Sequence, residues 1–503
     1  MWTAPFAIVV TVLCVRNRFL FSARLYEQGD SGANSILIEQ ARHFTLLVGN
    51  YSRERFNHPG PAFLYVQSWG ESLLWSVLHV VPTAWNGQML AVYALNGSFV
   101  ALITGITYGW TRSLPGAVVC LAVLAGGAAL YPAVLSSNWM PYLYVPAYAT
   151  LLVASASVAA GAGRDLWIMV LAGWFLIHGH ASFLLLVPAI WCAVAATVLW
   201  RHGPRATLRA VLRPRRWVPV LVISAVFALP IVVNLALHWP GDFGKYFSYG
   251  SSAQSGGHSL ADAVRYALWF WWPRSSAVAW LVPLVGYAAA GAVTLWLAPA
   301  ALRRFLVALL AVNAVSTALF LGYAAAGIDR LNDYYIGFFY WSAPLVTALV
   351  IAVGAVTALR GLTCAAVAAV AAAGAVTAFA VAGGTRSSTY DIDPALPHAV
   401  AAVAALAGGR MIVLDVGNWR AMGQAPGFLV QAERTGVRAC VNDPGYTYAL
   451  SSRFICTAAE AAAGARFVAG YDPVPRGIRP VAWMGPAFVA AIITGAGHPA
   501  RQR

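Results

Sequence analysis

Several apolar runs in this chain are long enough to cross a lipid bilayer, and nothing else in the sequence constrains the fold as strongly. The clearest are VPVLVISAVFALPIVVNLAL (218–237) and FLVALLAVNAVSTALFLGYAAA (305–326). A helix of about 20 apolar residues spans the hydrocarbon. Inside lipid only helices and closed barrels satisfy every backbone polar group. Of the 503 residues, 60% are hydrophobic and 10% charged, whereas a soluble domain carries about a quarter charged residues. The sequence therefore reads as a mainly α, polytopic membrane helical bundle of about 11–13 spans. A small extracytoplasmic α/β domain follows at the C-terminal end.

Apolar runs and their breaks place candidate spans near 3–15, 61–82, 88–110, 114–135, 140–161, 166–180, 182–200, 217–238, 276–297, 304–326, 336–358 and 362–383. Positive charge marks the cytoplasmic loops. The run RHGPRATLRAVLRPRR (201–216) carries six Arg and no acid, so it is taken as inside, together with Arg112, Arg164, Arg303, Arg304 and Arg360. The segments 239–275, 327–335 and everything after 384 then lie outside. Seven of the 17 acidic residues fall in that tail. Twelve full spans would place the first loop, 16–60, inside. If 61–82, which contains Glu71, lies in the interface instead of crossing, the first loop lies outside, and this is the version adopted. The membrane domain is then 1–383, with outer loops 16–60 and 239–275, and the outer domain is 384–503. The expected location is a bacterial plasma (inner) membrane.

The net charge is +15, and Lys245 is the only lysine. The Arg residues cluster at the ends of apolar runs. They form no basic stripe interleaved with aromatics, so nucleic acid is excluded as a partner and the lipid bilayer is the expected one. Cys14, Cys120, Cys192 and Cys364 lie in or beside apolar runs and read as packing residues. Cys440 and Cys456 share the outer tail and are expected to pair. The first run, 4–15, has no basic n-region or small-residue cleavage site, so it reads as an uncleaved span. Within the tail, 410–416, 437–441 and 465–470 read as strands and 419–436 as a helix closed by Gly436. The apolar run 482–494 is too short to span and reads as core.

Chemistry concentrates in the first loop, YEQGDSGANSILIEQARHFTLLVGNYSRERFNHPGP (26–61). Asp30 precedes a segment whose apolar residues Ile36, Ile38, Ala41, Phe44 and Leu47 recur at roughly helical spacing. Ser31 and Asn34 are candidate caps, and the helix is expected to lie on the membrane surface. The knot that follows gathers Tyr51, Arg53, Arg55, Asn57 and His58. Such residues can bind a phosphorylated head group, or they can simply face water.

Asp30 after the first span, the surface helix and the knot GNYSRERFNHPGP resemble the GT-C superfamily of membrane glycosyltransferases. The likeness is to the branch containing protein O-mannosyltransferases, the lipid A aminoarabinose transferases and actinobacterial relatives. HPGP (58–61) matches the motif that opens the second hydrophobic segment there, and HWPGDFGKYFSYG (238–250) resembles an outer loop of the same relatives. Asp30 stands alone where protein O-mannosyltransferases carry an Asp-Glu pair. The resemblance implies a hexosyl- or pentosyltransferase. Its donor would be a polyprenyl-phosphate-linked sugar and its acceptor a cell-wall glycan, glycolipid or protein. Asp30 would be the general base. Tyr51, Arg53, Arg55, Asn57, His58, Lys245 and Arg330 would supply donor contacts that stabilise the phosphate leaving group. No cofactor is identified, and a divalent metal is left open.

Other residues support plainer readings. His178 and His180 are two apart and share no helix face, so they suit a polar role at the lipid–water boundary better than a metal pair. Lys245 among Tyr246, Phe247 and Tyr249 reads equally as an interfacial anchor. Arg330 and Asp333 read as a local pair. The tail contains no phosphate-binding glycine loop, zinc spacing or nucleophile elbow. Two rival functions are a transporter or flippase for a lipid-linked glycan and a non-catalytic relative. A transporter would hold paired broken helices within its halves, and no such symmetry is visible.

Overall fold

A computed structural model describes residues 2–503 except 212–213, 252–256, 273–277, 360, 382–391 and 492–503. The basic run 201–216 lies largely outside the described side chains, and so do the first residues of the expected outer domain. The fold is a membrane-type helical bundle followed by a small mixed α/β unit. The helices, in chain order, are α1 (Thr3–Arg16), α2 (Gly29–Arg42), α3 (Ala62–Gly70), α4 (Ala84–Thr111), α5 (Leu114–Leu130), α6 (Ala133–Ser136), α7 (Met140–Ala159), α8 (Leu166–Gly179), α9 (Phe183–Val211) and α10 (Pro214–His238). They continue with α11 (Gly241–Ser251), α12 (Leu260–Trp271), α13 (Leu281–Ala292), α14 (Ala300–Ala326), α15 (Ser342–Ala358) and α16 (Gly361–Val381). Among the described residues, six helical stretches are long and apolar enough to cross a membrane: 84–111, 140–159, 183–201, 217–238, 300–326 and 334–358.

Contacts between helix ends define two faces. Trp2 packs on Gly105 and Val10 on Gly97, so α1 and α4 run antiparallel. Asn86 Nδ2 donates to the carbonyls of Leu20 and Ala23 at 2.7 and 2.8 Å, which brings the end of α1 beside the start of α4. The first loop therefore leaves and re-enters on one face, called the loop face below. Segment 61–82 stays there. The amide of Ala62 meets His178 at the end of α8, and Gly70 meets Gly87 at the start of α4. α3 continues as a π-helical turn, Glu71–Val77, and does not cross.

The structure corrects the reading of α2. It begins at Gly29 with Gln28 as an uncapped N-cap, so neither Ser31 nor Asn34 caps it. It also does not lie on lipid, because Ser31–Ile38 are buried throughout. Small residues make this enclosure possible. A Cβ on Gly32 would sit 2.6 Å from the Gly427 amide nitrogen. Ile36 belongs to the core of the C-terminal unit, whereas Leu37, Ile38 and Ala41 belong to the bundle core. Helix α2 thus joins the two cores.

The C-terminal unit contains α17 (Leu396–Ala407), α18 (Trp419–Met422), α19 (Ala425–Arg434) and the strands β1 (Ile412–Val416), β2 (Ala439–Val441), β3 (Ala465–Tyr471), β4 (Ala482–Met484) and β5 (Ala487–Ala491). Sheet order is β2-β1-β3-β5-β4. The first three strands pair in parallel, and β5 pairs antiparallel with β3 and β4. The expected 419–436 helix is broken into α18 and α19, and Gly436 closes it at φ 74°. The run 482–494 supplies β4 and β5 up to residue 491. Cys440 and Cys456 form a disulfide with Cα atoms 5.1 Å apart.

Candidate functional site

Asp30 lies in the first turn of α2, where a carboxylate is favoured by the unpaired amides of the helix start. Its two oxygens are addressed separately. Tyr51 Oη donates to Oδ1 at 2.5 Å, and Trp139 Nε1 donates to Oδ2 at 2.7 Å. An indole N–H can only donate, so Oδ2 serves as an acceptor. Burial pushes the Tyr51 hydroxyl well above its ordinary pKa and the neighbouring Asp30 charge adds to this, so the phenol keeps its proton. Each carboxylate oxygen retains a second lone pair.

An aromatic wall stands beside this carboxylate. Trp139, the residue before α7, meets Tyr335 at 5.4 Å and Tyr142 at 5.6 Å between ring centroids. Tyr142 meets Phe338 at a tilt and lies parallel to Trp341. Tyr335 Oη also accepts from Arg53 at 3.3 Å. Sequence reasoning did not single out Trp139 or Tyr335. The available signals were Trp139 at a helix start (NWMPY) and Tyr335 at the end of GIDRLNDYY.

Of the expected phosphate ligands, Arg53 is already occupied. Its guanidinium pairs with Asp329 at 2.5 Å and with Asp333. The expected Arg330–Asp333 pair is therefore replaced: Asp333 serves Arg53, while Arg330, 72% exposed, lies 3.7 Å from Asp329. The Arg55 side chain is exposed and has no acidic partner among the described residues. Its carbonyl accepts from Lys245 Nζ at 3.2 Å, and Lys245 also pairs with Asp242 at 2.8 Å. Asn57 Nδ2 donates to the Gly49 and Tyr448 carbonyls, and its own carbonyl accepts from Tyr246.

His58, His178 and His180 lie where the first loop meets the end of α8. His58 is buried, and its ring lies 4.4 Å from that of His180. Its Nδ1 accepts from the Ala181 amide. Burial drives the His58 pKa well below the ordinary value and proximity to His180 adds to this, while burial alone lowers His180 to about 4. Both rings are thus neutral at physiological pH. His178 joins three elements: Nδ1 accepts from Ala62 N at 3.2 Å, and Nε2 lies 2.8 Å from the Phe227 carbonyl. Among the described residues, no group of three or more His, Cys, Asp or Glu is placed to hold a metal.

The C-terminal unit completes the surroundings. Tyr448 packs on Tyr51 with ring centroids 6.0 Å apart. Glu27, the nearest carboxylate to Asp30 in sequence, is buried and pairs with Arg434 of α19. Compared with solved structures, the chain matches ArnT from Cupriavidus metallidurans in the apo state. The TM-score is 0.58, sequence identity is 12%, and the match covers 99% of each chain. The chain has the ArnT fold. The match to ArnT takes in the bundle and the C-terminal unit together, and at 12% identity it is a likeness of fold. No protein-family model and no curated protein matches the sequence.

Proposed function

We propose that the chain is an integral-membrane glycosyltransferase of the GT-C type. It takes a sugar from a polyprenyl-phosphate donor and passes it to a hydroxyl of a cell-envelope acceptor on the extracytoplasmic side. The observation that carries this reading is Asp30, oriented by two donors beside an aromatic wall, in a full-length fold shared with ArnT. The acceptor hydroxyl oxygen forms a bond to the anomeric carbon as the bond to the phosphate oxygen breaks. The hydroxyl proton passes to Asp30, and polyprenyl phosphate leaves. A single displacement of this kind inverts the anomeric centre. Arg55 and Lys245, adjacent and exposed, take the leaving phosphate, with Arg330 nearby. Arg53, neutralised by Asp329 and Asp333, orders the loop 327–335 beneath them. Trp139 and Tyr335 offer flat faces to the sugar.

The rival transporter reading is disfavoured by where the charges lie: on the loop face and at helix ends. The deciding experiment uses purified protein in lipid nanodiscs with polyprenyl-phosphate sugars, reading sugar release and transfer. Asp30→Asn is expected to lower turnover by about 10²–10⁴-fold, the usual worth of a general base. Asp262→Asn, at an exposed carboxylate on α12, is expected to stay within about twofold. Unchanged turnover in Asp30→Asn would remove Asp30 from the reaction. Donor translocation without sugar release would favour the transporter.

A further inference from the structure

A buried ionic cluster lies behind Asp30, on the side where the C-terminal unit meets the bundle. Arg434, the last residue of α19, pairs with Glu27 and approaches Glu71 at 3.5 Å. Both carboxylates are almost fully buried, at 2% and 0% side-chain exposure. Glu71 also accepts from Arg42 at 3.1 Å and from Gln88 at 2.8 Å. Gln88 donates in addition to Ser35 on α2. The Arg434 guanidinium lies 5.7 Å from the centre of the Trp75 ring. One cation of the C-terminal unit thus bridges the segment entering α2 and the π-helical turn of the bundle.

The same junction contains a close backbone crossing. A Cβ on Gly427 would sit 2.5 Å from the Glu27 carbonyl, and one on Gly32 would sit 2.6 Å from Gly427 N. Asp30 lies between Glu27 and Gly32, so the chain is clamped by α19 on both sides of it. Removing one partner of a buried pair leaves an uncompensated charge and is strongly unfavourable. A reactive carboxylate must be held to within a fraction of an ångström for efficient transfer.

We propose that Arg434 is a positioning residue for Asp30. By pairing with Glu27 and Glu71 it fixes the first turn of α2, which makes the C-terminal unit part of the catalytic scaffold. The clasp rests on geometry alone. Its effect on turnover rests on the transferase reading above.

The test compares Arg434→Gln with Arg434→Lys, and uses Arg453→Gln, which loses an exposed pair with Glu433 and a contact with the Phe454 ring, as a control. Hydrogen exchange is followed at 29–42 and at β3, and turnover is measured with a polyprenyl-phosphate sugar. In Arg434→Gln, exchange at 29–42 is expected to rise at least about tenfold with β3 unchanged. The kcat is expected to fall at least about tenfold with KM for the donor near wild type. Arg434→Lys is expected to recover much of both, and Arg453→Gln to change neither. Unaltered exchange at 29–42 in Arg434→Gln overturns the clasp. Loosened α2 with full kcat overturns the positioning role. If β3 also loosens in Arg434→Gln, Glu71→Gln weakens the same pairing from the bundle side, and unaltered α2 exchange there overturns the proposal. Wild-type protein inert with every polyprenyl-phosphate sugar would refute the transferase reading, while the exchange results would still decide the clasp.

Discussion

Arg53 and Arg55 are two residues apart and face different surroundings. Arg53 is held by Asp329 and Asp333, so its charge is already spent inside the protein. Arg55 has left-handed backbone geometry, φ 60°, an exposed side chain, and a carbonyl that accepts from Lys245. Hydrogen bonds to charged groups are worth about 1.5–3 kcal/mol. Arg55→Ala is therefore expected to raise KM for a polyprenyl-phosphate donor by about 10–100-fold, with some loss of kcat because the phosphate is charged in the ground state too. The thermal midpoint should hold. Arg53→Ala should behave in the opposite way and lower the midpoint, because it strands two aspartates. Donor KM and melting curves measured side by side would show the contrast, and an unmoved KM in Arg55→Ala would place the phosphate elsewhere. Asp30 and Arg55 were candidates from the sequence because both lie in the one stretch 26–61. Trp139 was not, since its bond to Asp30 joins residues 109 apart. The partners of Arg53 were equally hidden, because ion pairs across loops leave no periodic trace in a sequence.

The motif HPGP has a packing explanation at the level of elements. Pro61 precedes α3 and its carbonyl accepts from Tyr65. Gly60 passes so close to His178 that an added Cβ would lie 2.4 Å from the imidazole. That ring is fixed on both nitrogens and cannot retreat. Gly60→Ala is expected to cost about 1–3 kcal/mol through overpacking, read as a lower melting midpoint. Gly126, in α5, has nothing within 4 Å of its missing Cβ. Gly126→Ala should be neutral or stabilising by up to about 1 kcal/mol, since Ala is the better helix former. Equal midpoints for the two variants would show that the His178 ring can move. The sequence showed α2 as a helix through its period, but its apolar spacing could not reveal what covered it. Its amphipathic pattern suited lipid, yet Gly32 and the serines suited a protein neighbour. The enclosure depends on α19, roughly four hundred residues further along the chain.

At the scale of the whole molecule the question is which face looks outward. Among the described residues, the six membrane-length stretches and the shorter helices α1, α5, α8, α13 with its π turn, and α16 make eleven segments that lead from one face to the other. An odd number puts the start of α1 and the C-terminal unit on opposite faces. The membrane character and the α/β tail were legible from hydropathy and charge, whereas for 61–82 those signals left two versions open. Those signals are summed over many residues and survive local misreadings. The arginines then choose the direction. On the face opposite the loops, Arg164 reaches Gly109, Arg201 Nη1 donates to the Ala159 carbonyl at 3.1 Å, and Trp110 stacks on Phe305, two residues from Arg303. Arg112, Arg164, Arg201, Arg303 and Arg304 therefore share one face, where the acidic residue nearby is Asp165. The C-terminal unit, with its disulfide, sits on the other. Positive charge stays cytoplasmic, and a disulfide suits an oxidising compartment. On both grounds the tail is expected outside. Ala459→Cys, at an exposed site in the C-terminal unit, should react with a membrane-impermeant maleimide in intact spheroplasts. Arg164→Cys should react only once the membrane is opened. The reverse pattern would put Asp30 and the whole site in the cytoplasm, where the donor would have to face inward.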